Sequence, residues 1–428
     1  MKDQIFKSIF GERNRWEYAI RVAVDKGINK GLLSNLCSPE ERKRIATEFW
    51  NGTYTIAPPH TAKISKNELD ENGNMKYRTV YINEPIDRVL LSIINDYLFQ
   101  SCPEMIHPRC KSYQRGIGCG RVVTEASRRI QQSDGIIGFK SDLSKYFDSV
   151  PIEYIDKAFD AVEAKLGKSC VIDVVRKYYH QDTYFEGKDR DNLIESYQSL
   201  KQGCAVASWL ADVILYHIDE KLSHLNGFYV RYSDDVLFIG PDYQQAHDIL
   251  VEELGKMSLK VNAKKDEWLD QYHWFKFLGF SIKGSDISLS QSRIKTFQKE
   301  IESRTIKSGD DSQRVLVNRV NRYLYKGFQG FSWATSVLPV INVKQDIDQL
   351  NKFVLDCIRG SVTGRRKVGG LGFVKNQKFG CINRGRGRNV TSNRSKTEAR
   401  IDGYRSLGCM RNALLCSKST YDSIVSSL

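Results

Sequence analysis

The chain has 428 residues, with 65 Lys and Arg against 51 Asp and Glu and a formal net charge of +14, enough length for two or three domains or one large enzyme with a good core. Its ten cysteines include no Cys-x-x-Cys pair and have no His-rich partner segment, which excludes a zinc ribbon and a disulfide framework. No apolar run approaches ~18 residues and the start, Met-Lys-Asp-Gln-Ile-Phe, lacks an apolar signal core, so a cytoplasmic protein is expected, with no membrane contact.

In chain order, residues 1–50 read as helices, with Pro39-Glu-Glu marking a helix start. Pro58-Pro59 breaks the chain. Thr61–Ser65 and Lys76–Ile82 read as two strands around a polar loop holding Asn72-Gly73, a good hairpin turn. Ile86, Val89, Leu90, Ile93, Ile94, Tyr97 and Leu98 recur at helical spacing after Pro85. Gly135–Ser141 is a short apolar strand, and 152–166 and 171–180 are helices. Ala205–Leu222 is apolar nearly all round, as expected of one helix buried beneath a sheet. A helix at Tyr243–Met257 follows; strands stop after Phe280, and helices are predicted near 291–306, 313–328 and 344–358.

Residues 228–239, Phe-Tyr-Val-Arg-Tyr-Ser-Asp-Asp-Val-Leu-Phe-Ile, carry the chemistry. β-Prone residues on both sides of Asp234 and Asp235 predict a hairpin with the two acids at its tip. A single Asp there is an ordinary turn residue. Two in a row repel unless a cation lies between them, and Asp142, leaving the end of the 135–141 strand, is the best third carboxylate. Three hard oxygen ligands suit Mg²⁺, which keeps waters and substrate phosphates; two ions roughly 3.5–4 Å apart would clamp an in-line phosphoryl displacement.

Seven segments in one order resemble the motifs of a reverse transcriptase: Lys76–Arg88 and Ser112–Arg121 in the fingers, Asp142–Pro151, Gln202-Gly203, the Tyr-x-Asp-Asp box Tyr232–Asp235, Leu259–Lys265 and Phe275–Phe280. The resemblance implies an α+β, right-hand polymerase fold: N-terminal helices and fingers over 1–134, palm over 135–285 with inserted fingers helices 152–200, and a helical thumb over 286–358. It implies two Mg²⁺ ions on Asp142, Asp234 and Asp235, with Leu143 in the same ligand set. It puts Arg78 on the incoming dNTP triphosphate, joined by Lys63, with Lys66 a close alternative because the hairpin register is not legible. Phe147 would pack under the sugar and refuse a 2′-hydroxyl, unless its neighbour Tyr146 faces the site. Gln202 offers an amide and Gly203 lets backbone approach a base or template. Lys265 would donate a proton to leaving pyrophosphate, with Lys264 an equal candidate. The usual Ser-Pro after Gln-Gly is replaced by Ala207-Ser208-Trp209.

From Arg359 to Arg411 there are fourteen Lys and Arg against Glu398 and Asp402. Residues 359–428 are therefore expected to be a basic nucleic-acid-binding segment, with Arg365, Arg366, Lys367, Arg384, Arg386 and Arg388 on phosphates. The short, unfused layout resembles the bacterial defence-associated reverse transcriptases, type 2 above all, which implies a structured non-coding RNA template, a DNA product and an RNA/DNA heteroduplex. Two rivals stand beside this reading: a template-independent or protein-primed DNA polymerase, and an RNA-folding cofactor with a vestigial polymerase fold.

Overall fold

The computed structural model describes residues 3–34, 38–69, 72–114, 116–133, 135–188, 190–306, 312–327, 332–363, 401 and 403–428. Arg365, Arg366, Lys367, Arg384, Arg386 and Arg388 lie outside the described residues. The chain divides into two compact units, Met1–Ile117 with Ile136–Leu269, and Gly118–Gly135 with Asp270–Leu428.

The first unit opens with helices whose caps are written in the sequence. Asp3 accepts from the Phe6 N–H at the start of Gln4–Gly11. Ser38 accepts from the Glu41 N–H, with Pro39 in the first turn, at the start of Pro39–Trp50. Helix Pro85–Ser101 buries Val89, Leu90, Leu91, Ile93, Ile94, Tyr97 and Leu98, the predicted stripe widened by Leu91. Strands β1 (His60–Leu69) and β2 (Met75–Ile82) pair antiparallel. After β3 (Ile136–Asp142) come β4 (Thr183–Phe185) and β5 (Leu193–Glu195), which extend the fingers sheet in the order β2-β1-β4-β5. At three residues each, β4 and β5 are too short to show a periodicity. The second sheet orders β6 (Phe228–Tyr232), β7 (Asp235–Ile239), β3 and β8 (Glu267–Asp270) as β6-β7-β3-β8.

The single helix expected over 205–222 is two, Ala207–Val213 and Tyr216–Ser223. The cause is a side chain on β6. Arg231 donates to the carbonyls of Ala211 and Asp212 at 3.2 and 2.8 Å, the acceptors that a continuous helix would give to the N–H groups of residues 215 and 216.

In the second unit, β9 (Phe275–Phe277), β10 (Phe280–Lys283) and β11 (Asp286–Leu289) form an antiparallel sheet on which helix Cys119–Gln131 packs. Strands therefore continue past Phe280, where they were expected to stop. Gly284, with φ +52°, lets the chain turn between β10 and β11. Helices Gln291–Arg304, Gln313–Asn321 and Lys344–Thr363 follow, the second running on as a π-helix over Arg322–Lys326. The end of the expected basic segment differs from that reading. Helices Leu407–Cys416 and Lys418–Ser426 bury Leu407, Met410 and Tyr421, and Arg411 Nε donates to the carbonyls of Leu338 and Ile341 at 3.0 and 3.1 Å. Arg411 thus serves the helical core. Among the described residues no helix is long and apolar enough to cross a membrane.

Candidate active site

Asp142 ends β3 directly opposite Asp235, the first residue of β7. Tyr232 pairs with Asp235 across the β6–β7 hairpin, leaving Ser233 and Asp234 as a two-residue turn. Successive side chains of a strand point to opposite faces, so a straight chain would separate two adjacent carboxylates. Ser233 prevents this by taking φ +60°, a left-handed conformation that costs a non-glycine residue roughly 1–2 kcal/mol. The turn keeps Asp234 beside the other two acids. The Leu143 N–H fastens it to the end of β3 by donating to the Asp234 carbonyl at 2.9 Å.

Burial and neighbouring negative charge raise two of these acids. Burial, then the charge of Asp142, pushes the Asp234 carboxyl above the usual range. Burial, then the charges of Asp234 and Asp142, pushes Asp235 up to about 7. A positive group already answers this charge: Lys265 Nζ lies 2.7 Å from Asp142 Oδ2. Burial opposes the ammonium, but its bond to Asp142 and the charges of all three acids hold its proton above the normal lysine range. Asn262 steadies the same aspartate, donating its N–H to the Asp142 carbonyl at 2.7 Å and its amide to Oδ1 at 3.3 Å. Of the two candidate lysines, Lys265 is therefore the one on the carboxylates. Among the described residues no group of three or more His, Cys, Asp or Glu side chains is arranged to hold a metal ion. By donor chemistry alone an all-oxygen set suits Mg²⁺, which takes few protein ligands and keeps waters and substrate phosphates.

The residues expected around a nucleotide divide. Tyr146 is buried and donates its hydroxyl to the Ala211 carbonyl at 2.9 Å, so it is committed to the core. Phe147, next to it, is only partly buried. Lys63 pairs with Thr79 and Ile64 with Arg78. Cross-strand partners share a face and neighbours alternate, so Lys63 and Arg78, expected together, lie on opposite faces of the hairpin. The charge of Arg78 reaches Asp234 and that of Lys66 reaches Asp148. Lys66 lies where the β1–β2 register shifts, and the carboxylate its charge reaches is Asp148, not one of the three acids.

Gln202 and Gly203 meet the fingers strand. The Gln202 carbonyl accepts from the Tyr81 N–H at 2.7 Å. Gly203 has φ +112°, and a Cβ there would stand 2.7 Å from the Tyr81 carbonyl oxygen. Within the chain, the close approach that demands this glycine is to β2. Behind it, Ser199 and Lys201 also take positive φ. Lys201 is buried, donates to the Gln181 carbonyl at 2.8 Å and to the Gln198 amide oxygen, and is pulled down to about 8 by burial.

A buried charge cluster under the hairpin was not read from the sequence. Arg231, 1% exposed, donates Nε and Nη2 to the two oxygens of Asp219, 0% exposed, at 2.7 and 2.6 Å. Tyr229 donates its hydroxyl to the same aspartate at 2.6 Å. Asp212 lies beside them, and its carboxyl is pushed up to about 7, chiefly by burial, against the pull of Arg231. The available signal was an arginine inside an apolar strand and two aspartates inside an apolar helix run, since charges are rarely fully buried unless paired.

Residues 64–282, just over half of the chain, match the family model described as reverse transcriptase (RNA-dependent DNA polymerase). No curated protein matches. Among solved structures, the chain is similar to telomerase from Candida albicans in complex with a TWJ fragment of telomeric RNA, at 11% identity and a TM-score of 0.39, over 76% of this chain and 63% of that one. It is also similar to apo telomerase from Candida tropicalis, at 10% identity and a TM-score of 0.45, over 72% and 58%. The chain spans about three fifths of the length of these telomerase chains. With its motifs carried on an α+β right-hand polymerase fold, the chain belongs to the reverse transcriptase (RNA-dependent DNA polymerase) family of nucleotidyltransferases.

Proposed function

We propose that the chain is an RNA-directed DNA polymerase that copies a structured non-coding RNA into cDNA in bacterial antiphage defence, in the cytoplasm. The observation that carries the polymerase reading is the meeting of Asp142, Asp234 and Asp235, whose burial raises the cost of their charge and is of no use to a protein that only binds RNA. Asp142, Asp234, Asp235 and Leu143 would hold two Mg²⁺ ions, which stabilise the attacking and leaving oxygens of phosphoryl transfer. Arg78, whose charge reaches Asp234, holds the triphosphate, its planar guanidinium matching two phosphate oxygens. Lys63 and Lys66 are the two lysine candidates for the same role, Lys63 on the face opposite Arg78. Gln202 orients the nucleotide, and Lys265 carries the proton that leaving pyrophosphate takes up. The RNA partner and the defence role rest on the resemblance in layout alone. Sequencing the nucleic acid that co-purifies with the protein tests them. Structured RNA with complementary DNA supports the reading; RNA alone fits a folding cofactor, and low-complexity DNA joined to protein fits template-independent synthesis.

Phe147 is the residue left to face the sugar once Tyr146 is spent in the core. Phe147→Val is expected to raise incorporation of rNTPs relative to dNTPs by about tenfold or more, because a removed steric clash is a specificity term. Incorporation of the two substrates on one RNA template measures the ratio. An unchanged ratio assigns the gate to another residue.

The basic run from Arg365 to Arg388 is proposed to hold the RNA backbone. Changing Arg384, Arg386 and Arg388 to Ala should flatten the slope of log affinity against log salt by about two to three units. Extension of a short, saturating primer–template should survive. Equal slopes for wild type and variant would show that these arginines meet no phosphate.

A further inference from the structure

We infer that Ser112 and Asp212 are positioning residues that hold Ser233 in its left-handed conformation and so aim Asp234. The inference rests on the polymerase reading for its rate assay, but not for its structural one.

Every polar group of Ser233 is held from outside the turn. Its N–H donates to Ser112 Oγ at 2.8 Å. Its carbonyl accepts from Arg231 Nη1 at 3.2 Å. Its hydroxyl lies 3.1 Å from the Tyr113 hydroxyl. Ser112 is buried, and its hydroxyl proton is donated to Asp212 Oδ1. That donation fixes the serine oxygen as an acceptor, the role it needs toward the Ser233 N–H. Asp212 is itself 0% exposed, and its carboxyl is bonded by the side chains of the edge segment, Ser112 to Oδ1 and Cys110 beside it.

The segment carrying Ser112 cannot drift from the hairpin. The Arg231 N–H donates to the Arg109 carbonyl at 3.0 Å, and the Lys111 N–H donates to the Arg231 carbonyl at 2.9 Å. Residues 109–112 therefore run along the free edge of β6 as a short parallel bridge. A buried aspartate in the helix below, a serine on the edge segment and the turn residue form one line of donors. Its far end is the residue whose φ decides whether Asp234 and Asp235 stand together. Without the Ser112 acceptor, Ser233 would leave the left-handed region that a Cβ disfavours, and Asp234 would swing away from Asp142.

Glycine supplies the discriminating test, because it takes positive φ without that penalty. Ser112→Ala should lower the rate of dNTP incorporation by about tenfold, the equivalent of one lost buried hydrogen bond, and raise the Mg²⁺ concentration for half-maximal rate. Adding Ser233→Gly to Ser112→Ala should recover most of both. Asp212→Asn, which keeps an acceptor oxygen, should lose less than Asp212→Ala. Two readouts need no catalysis: Mn²⁺ binding followed by electron paramagnetic resonance, and amide deuterium exchange of a peptide spanning 232–236. Ser112→Ala should weaken the first and speed the second, and the glycine should restore Mn²⁺ binding. A folded Ser112→Ala protein with wild-type Mn²⁺ affinity and exchange overturns the inference, as does a double variant no better than the single one. If wild type makes no DNA but the two binding readouts shift as expected, the polymerase reading fails and the positioning role stands.

Discussion

Replacing Asp234 and Asp235 together with Ala is expected to abolish DNA synthesis while leaving the fold intact, and to leave the Tm in EDTA unchanged or higher. The variant removes ligands for the cation and also removes two buried charges that repel each other and Asp142. The sign of the pH dependence follows. Asp235 is pushed up to about 7 in the folded protein, against about 3.9 for an unfolded aspartate. The folded state therefore binds this proton more tightly, and its contribution to stability falls as pH rises from about 4 to about 7. Metal-free wild type should lose stability over that window, and the double variant should lose less. Thermal melts in EDTA at several pH values, with dNTP incorporation on an RNA template, decide the matter. Retained incorporation would remove these residues from the chemistry. A sharply lower Tm would show that the carboxylates support the fold.

Arg231→Met is expected to cost about 3–5 kcal/mol of stability, because it leaves Asp219 buried and charged without its partner. The pair is sealed, at 1% and 0% exposure, so water cannot replace the guanidinium. Activity should fall with it, since Arg231 also donates to the Ser233 carbonyl in the turn that carries Asp234. The companion variant Arg231→Met with Asp219→Leu separates charge from geometry. It should regain most of the stability, as apolar replacements of buried ion pairs commonly do, but not the activity. Urea denaturation of the three proteins checks this. A single variant as stable as wild type would mean that the pair contributes nothing to the fold.

Much of the candidate site was legible because short-range rules set it. The β-prone flanks of Asp234-Asp235, the strand before Asp142 and the apolar stripe after Pro85 are local patterns, and the structure has the hairpin, the strand and the helix there. Asp142 was legible as the third carboxylate from its place at the end of the 135–141 strand, whereas its pairing with Asp235 came from the structure. Hairpin register was not legible, because the β1–β2 pairing shifts between Ser65 and Leu69. A one-residue slip moves a side chain to the other face. That is why Lys63 was grouped with Arg78 although the two lie on opposite faces.

The sequence by itself determined which residues carry charge into apolar segments and which motifs follow one another. Tertiary structure alone decided what those charges do. Arg231 reads as one polar interruption in a strand, yet it interrupts the helix that precedes that strand, seals Asp219 and grips the turn that carries Asp234. Its partners lie 12 and 19 residues away in the chain, and they meet it through a sheet-on-helix contact that no local periodicity encodes. Gly203 shows the same limit: a glycine announces a close approach, but only the packed fold shows that β2 is what approaches. Propensity acts between neighbours in sequence, whereas burial, register and charge pairing act between neighbours in space.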